Sequence, residues 1–241
     1  MTADRPVALV VGGRGGIGRH IVSALRDQGA HVVVAGRSAQ TVPGDYRQLD
    51  IGDHAAVAAL AAELAAMHGA IDWVVDASNG AVPGLSGRFA QTDPAMFGAF
   101  LHARLATLYT LCHAVLPHLS RQRGAIVAMA ADSGKVAAPN QTMVGSAAAA
   151  IMMFVRTLAL EVAREGIRVN CVATSYVTGT PVFEAARAGP LAGRVATAEA
   201  RAGLGLPDAA EIGRVAAWLC SDAARHLTGQ VISVNGGVSA A

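Results

Sequence analysis

The stretch VALVVGGRGGIGRHI, residues 7–21, constrains this chain more than any other. Its first five residues are all apolar, as a parallel strand buried on both faces requires. Glycines follow at 12, 13, 15, 16 and 18, and an amphipathic run continues to about Gly29. Gly12 permits a sharp turn out of the strand, Gly16 lets backbone approach a pyrophosphate, and Gly18 lets the helix pack close to the strand. The helix then offers free N–H groups and a positive dipole end to phosphate. A glycine motif alone is common. The strand before it and the helix after it mark this one, with Gly15 and Ile17 inside the loop, as a dinucleotide-binding turn.

Strand-like and helix-like runs alternate through the rest of the chain. The expected fold is α/β: a doubly wound parallel sheet with helices on both faces, forming one domain over residues 1–241. Further strands are expected at 31–35, 46–50, 71–76, 124–130, 167–173 and 231–234. Helices are expected at 55–68, 94–121, 145–165 and 208–221. The helix at 145–165 is apolar nearly all round, which predicts burial against the sheet on one side and a sister subunit on the other. Residues 178–206, rich in Gly, Ala and Arg, read as a mobile cover over the site.

Composition excludes several classes. A net charge of +2 and the lack of a basic stripe or helix-turn-helix spacing argue against a nucleic-acid partner. The first residues lead directly into a strand, so no signal peptide is expected. The longest apolar run, 147–155, is too short for a bilayer. Three scattered cysteines (112, 171, 220) suit a reduced cytoplasmic protein and read as buried apolar residues. No metal is expected.

The second strand ends in Gly36-Arg37-Ser38. An acidic residue there favours a free ribose 2′-hydroxyl, and an arginine favours a 2′-phosphate. Arg37, with Arg14 inside the glycine turn, makes NADP(H) the expected cofactor over NAD(H). Asp50 and Ile51 are placed to border the adenine. The turn Ala77-Ser78-Asn79 and the segment Thr174-Ser175-Tyr176-Val177, with Thr180 beyond it, are expected to border the cofactor.

These features together resemble the short-chain dehydrogenase/reductase family over nearly the whole chain. The glycine turn, Asp50, the segment EGIRVN (165–170) and the tail LTGQVISVNGG (227–237) carry the likeness. The resemblance implies seven strands in the order 3-2-1-4-5-6-7 and a homo-oligomer, a tetramer or a dimer. It also implies a serine, a tyrosine, a lysine and an asparagine as catalytic groups. Those positions fall on Ala131, Val144, Ala148 and Arg104, so all four are replaced. The only lysine in the chain is Lys135.

That loss shapes the expected chemistry. The family's tyrosine handles a proton on the substrate oxygen, worth about 10²–10⁴ in rate. Hydride delivery needs only an oriented nicotinamide. An electrophile that needs no proton on the accepting group is therefore expected: an iminium, or a hemiaminal that becomes one, in a bulky small molecule. Asp132 would orient that cation, with Asp76 at the end of strand four as a second carboxylate. Asp132 beside Ser133-Gly134 also reads as a turn former. Arg104 either reaches into the vacated lysine space, pairing with Asp132 or Asp76, or faces outward at a subunit contact. Ser133, Ser146, His102 and Tyr176 are candidate substitute proton donors, which would restore ketone reduction. A non-catalytic NADP(H)-binding sensor or assembly partner fits the same residues.

Overall fold

The computed structural model describes residues 5–38, 44–78 and 85–240. Its strands are β1 Val7–Val11, β2 His31–Gly36, β3 Asp45–Gln48, β4 Trp73–Asp76, β5 Ala125–Ala131, β6 Arg168–Thr174 and β7 Val231–Val234. They form one seven-stranded sheet in the order β3-β2-β1-β4-β5-β6-β7, with parallel pairing throughout. The helices are α1 Gly18–Asp27, α2 His54–His68, α3 Phe97–Leu101, α4 Thr107–Val115, α5 Thr142–Val162, α6 Pro181–Ala188, α7 Ala192–Arg201 and α8 Ala209–Cys220. This is the doubly wound fold expected from the sequence.

Side-chain alternation along β1 builds a core on each face. Leu9 and Val11 join residues of α2, α4 and α5, while Ala8 and Val10 join residues of α1 and α8. The strand order reverses between β1 and β4, where Val11 lies in register with Asp76. Open α/β sheets bind ligands at the carboxyl ends of strands at such a point.

Local signals account for the element ends. Asp53 caps α2 by accepting from the Ala56 N–H at 3.1 Å, and Gly69 follows the helix at φ +87°. Asp208 and Glu211 form a capping box on α8. Arg168 donates to the carbonyls of Leu219 and Cys220 at the end of α8, at 2.6 and 2.9 Å. Asn170, fully buried, donates to the Leu227 carbonyl and accepts from the Gln230 N–H. These two residues explain the EGIRVN segment: it fastens α8 and the approach to β7 onto β6.

Several boundaries differ from expectation. β3 stops at Gln48, because the Asp50 carboxylate accepts from the Gly52 N–H and closes a turn. α5 begins at Thr142, three residues early, and Gly145 lies inside it. A Cβ there would sit 2.7 Å from the Ser133 carbonyl oxygen, so this glycine permits close packing and does not start the helix. The helix expected over 94–121 runs from Pro94 to His118, with α3 and α4 joined through a π-helical turn, His102–Ala106. Residues 178–206, expected as a cover over the site, contain α6 and α7. Thr180 caps Phe183 with Pro181 in the first turn, and Phe183, Ala186 and Val195 form their own apolar cluster.

By length and composition, two helical stretches could cross a bilayer, Pro94–His118 and Thr142–Glu165. The nine-residue apolar run read from the sequence understates both. In α5, Ile151, Met152, Val155 and Ala159 are buried against the sheet, as in a core helix. Its other face leaves Met153 and Leu160 at 58% and 80% exposure.

Candidate active site

Two cavities line the carboxyl edge of the sheet and meet at Gly15 and Ala77. The first, about 700 Å³, lies over β2 and is bordered by Gly12, Arg14, Arg37, Ser38, Tyr46 and Ser78. The second, about 350 Å³, runs from Gly16, Ile17 and Gly18 across the ends of β5 and β6 to the start of α6. Thr174, Ser175, Tyr176, Val177 and Thr180 all line it.

The glycine turn is built by crowding. Gly12 has φ +75°, and a Cβ there would fall 2.6 Å from the Ala77 carbonyl oxygen. A Cβ at Gly18 would fall 2.2 Å from the Gly12 carbonyl oxygen. At Gly16 a Cβ would meet the Thr180 side chain at 2.9 Å, so this glycine makes room for the start of α6.

Tyr46 was not singled out from the sequence. Its hydroxyl donates to the carbonyls of Gly36 and Ser38, at 2.9 and 2.7 Å, which fixes the end of β2, and its ring lies 5.9 Å from the Arg14 guanidinium carbon. The available signal was register: a β3 aromatic facing the segment that carries Arg37. Met129, Pro181, Val182 and Phe183 also line the second cavity and were not foreseen.

Charge at the second cavity belongs to Arg104. It sits in the π-turn, lines the cavity and lies 5.7 Å over the Phe100 ring. This decides between its two expected positions, since it faces the cleft. Burial lowers its pKa, and the nearby Asp76 opposes that shift. Of the two carboxylates expected near it, Asp76 acts on its charge. Burial raises the pKa of Asp76 above 3.8, against the bonds from the Ser78 hydroxyl and N–H and the charge of Arg104.

Several expected site residues lie elsewhere. Asp132 is buried, accepts from Asn235 Nδ2 at 2.6 Å and does not line the cavity. Its β5 neighbours Met129, Ala130 and Ala131 do. The short 3-10 turn after β5 swings Asp132 toward the C-terminal tail. Ser133 lies under α5 beside Gly145 and does not reach the cleft either. Lys135 donates to the Val231 carbonyl and Ser233 Oγ on β7. His102 is exposed, near Gly52, and Ser146 bonds back to the Met143 carbonyl. Asp50 and Ile51 border neither cavity, because β3 ends before them and Ile51 joins the core. Asn79 lies outside the described residues. Ala131 opens onto the cavity, Val144 packs with Leu85 and Phe100, and Ala148 is in the core. No hydroxyl or amine stands at any of these three positions.

With this geometry in place, comparison with known proteins defines the class. Residues 11–239 match the sequence model of a family described as enoyl-(acyl carrier protein) reductase. The 3-oxoacyl-(acyl-carrier-protein) reductase FabG of Chlamydia muridarum is 30% identical over 254 residues, 96% of each chain. A short-chain dehydrogenase/reductase from Brucella melitensis, described as SDR:Glucose/ribitol dehydrogenase, superposes with a TM-score of 0.86 at 25% identity, covering 100% of both chains. The structure of ElxO with NADP bound has a TM-score of 0.85 at 20% identity, covers 97% of this chain and 98% of that one, and shows the shared fold. The chain belongs to the short-chain dehydrogenase/reductase family of NAD(P)-dependent oxidoreductases.

Proposed function

We propose that this protein is an NADPH-dependent reductase of a small, largely apolar electrophile. The observation that carries the reading is the junction of the two cavities at Gly15 and Ala77, beside the N-terminus of α1. A dinucleotide laid through that junction would put its pyrophosphate on the glycine turn. Arg14, Arg37 and Ser38 are the groups suited to a 2′-phosphate. Thr174, Ser175, Tyr176, Val177 and Thr180 would flank the nicotinamide, and α6 would cover the substrate. A reduced nicotinamide, when bound, supplies a hydride.

The absence of the family's tyrosine and lysine points, taken alone, to an iminium or hemiaminal acceptor. The cavity does not favour that choice. Asp132 is turned toward Asn235, and the charged side chain that lines the cleft is the cation Arg104. A cationic acceptor beside a cation in a dry cleft is repelled. An acceptor that is neutral at first and gains negative charge is favoured. A ketone of the 3-oxoacyl kind, named for the FabG relatives, ends as an alkoxide that needs a proton, and no hydroxyl stands at positions 131 or 144.

A second reading rests on the same three positions. With Ala131, Val144 and Ala148, the chain could bind NADP(H) without turnover and act as a sensor or assembly partner. We further propose a cytoplasmic homo-oligomer, a tetramer or dimer, with no nucleic-acid or membrane partner. The exposed Met153 and Leu160 on α5 and Tyr109 on α4 would form a subunit contact.

The test combines nicotinamide fluorescence titration with a panel of enones, ketones and cyclic iminium ions, followed at the reduced-nicotinamide band. NADPH binding tighter than NADH, with loss of absorbance on at least one compound, supports the reductase. Tight binding without turnover supports the second reading. Failure to bind either nucleotide removes both.

A further inference from the structure

We propose that Arg104 is a substrate-binding residue whose guanidinium anchors a carboxylate, so that this protein acts on a small monocarboxylic acid with an apolar body. The inference rests on the reductase reading and names the class of substrate that the reductase takes.

The cavity at the ends of β5 and β6 is bordered by one charged side chain among the described residues, that of Arg104. Met129, Ala130, Ala131, Val182 and Phe183 give the cavity an apolar wall, and Thr174, Ser175 and Tyr176 bring hydroxyls to it. The Arg104 guanidinium carbon lies 5.7 Å over the ring of Phe100, and Phe100 is itself buried against Leu85 and Ala147. The side chain leaves its helix from within the π-helical turn, a distortion frequent at functional positions. A cation supported in this way at the edge of an apolar cavity is placed to meet what enters it.

Hydroxyls suffice to meet a neutral carbonyl oxygen. A permanent cation does more, because it sorts ligands by charge. Burial already lowers the pKa of Arg104, the mark of a charge short of water. A neutral ligand packed beside it removes more water and returns no opposite charge. A carboxylate returns that charge, and its two oxygens match the flat N–H fork of guanidinium. Asp76 opposes only part of the cost, because burial pushes it toward its neutral form and both bonds from Ser78 end on its Oδ1. One cation calls for a monoanion. The groups suited to a phosphate, Arg14 and Arg37, lie in the other cavity. The apolar wall receives the rest of the acid. A volume of about 350 Å³, shared with the nicotinamide in the reductase reading, keeps that acid small.

The experiment uses the full chain saturated with NADP⁺ and two probes of nearly the same shape, phenylacetate and the uncharged phenylacetamide. Isothermal titration calorimetry at neutral pH measures both. The wild type should bind the acid more tightly than the amide by about 10–100-fold, the range for a charge-assisted bond. Arg104→Gln should remove that preference. Arg104→Lys, which keeps the charge without the fork, should restore part of it. Retained NADPH binding shows that each variant is folded. Across the acceptor panel, extended with oxo acids and their methyl esters, the acids should have the higher kcat/KM. Equal affinity for acid and amide in the wild type overturns the inference and needs no variant. An acid preference that survives in Arg104→Gln overturns it too, since the carboxylate then sits elsewhere, and so does a turnover preference for the esters. Failure of the wild type to bind NADP⁺ strikes the reductase reading instead, and the acid–amide comparison is then read on the free chain by the same criteria.

Discussion

Asn235 donates from Nδ2 to Oδ2 of Asp132 at 2.6 Å, tying the C-terminal tail to the turn after β5 across 103 residues of sequence. Asn235 also donates to Ser239, and its side-chain Oδ1 accepts from the Gly237 N–H. The carboxylate read as catalytic in the sequence holds the tail in this structure through one of its oxygens. Asp132→Ala should lower unfolding free energy by about 1.5–3 kcal/mol, the usual range for a bond to a charged group. The folded variant should keep kcat/KM within about threefold. Urea denaturation and steady-state rates on the same preparation check both, and a large kcat/KM loss at wild-type stability would return Asp132 to the mechanism.

Asp76 should give the chain a measurable pH dependence. Burial raises its folded pKa above the 3.8 of the free side chain. The folded state therefore keeps a proton that the unfolded chain has lost. The associated stability is complete below about pH 3.8 and is lost as pH rises through the folded value. Asp76→Asn cannot ionise but can still accept from Ser78. As pH rises from about 3.8 through the folded value, wild-type stability should fall relative to Asp76→Asn in paired urea titrations. Parallel curves would mean that the charge of Arg104 cancels the cost of burial.

Arg37 and Arg14 border the same cavity as Ser38. Replacing Arg37 with Ala should weaken NADPH binding by about tenfold or more, in line with loss of a charge-assisted contact to phosphate, and leave NADH binding nearly unchanged. Fluorescence titration of both nucleotides measures the ratio. An equal effect on both would move the 2′-phosphate away from Arg37.

Asn170 is fully buried and satisfies two backbone groups, the Leu227 carbonyl and the Gln230 N–H. Asn170→Ala leaves both without that partner. A loss of about 2–4 kcal/mol is expected, since each unsatisfied buried group costs about 1–3 kcal/mol. Thermal or urea unfolding reads it directly. Asn170→Asp should fare better than Ala at low pH, where a protonated carboxyl can still donate to Leu227.

Much of the nucleotide side of the site was legible because its signals are local. The turn at 12–18 needs glycine for reasons confined to a few residues and the strand beside it. Arg37 follows directly from the end of β2. Thr180-Pro181 marks the start of α6, yet the small-residue composition around it led to an expectation of a mobile cover. The chemical end was less legible. Whether Arg104 faced the cleft or a neighbour depended on one extra residue in a helical turn, which periodicity cannot resolve. Tyr46 entered the site through strand register, and Asp132 left it through a partner far along the chain.

The sequence by itself determined the sheet and its nucleotide-binding turn, because hydrophobic period and glycine sterics act over short separations. Only the tertiary structure decided which charges meet the cleft. Direction is set by packing: the short turn after β5 carries Asp132 to Asn235, and the π-turn brings Arg104 to the cavity that Ala131 leaves open. A side chain's residue type is written locally, but its neighbours are chosen by the whole fold.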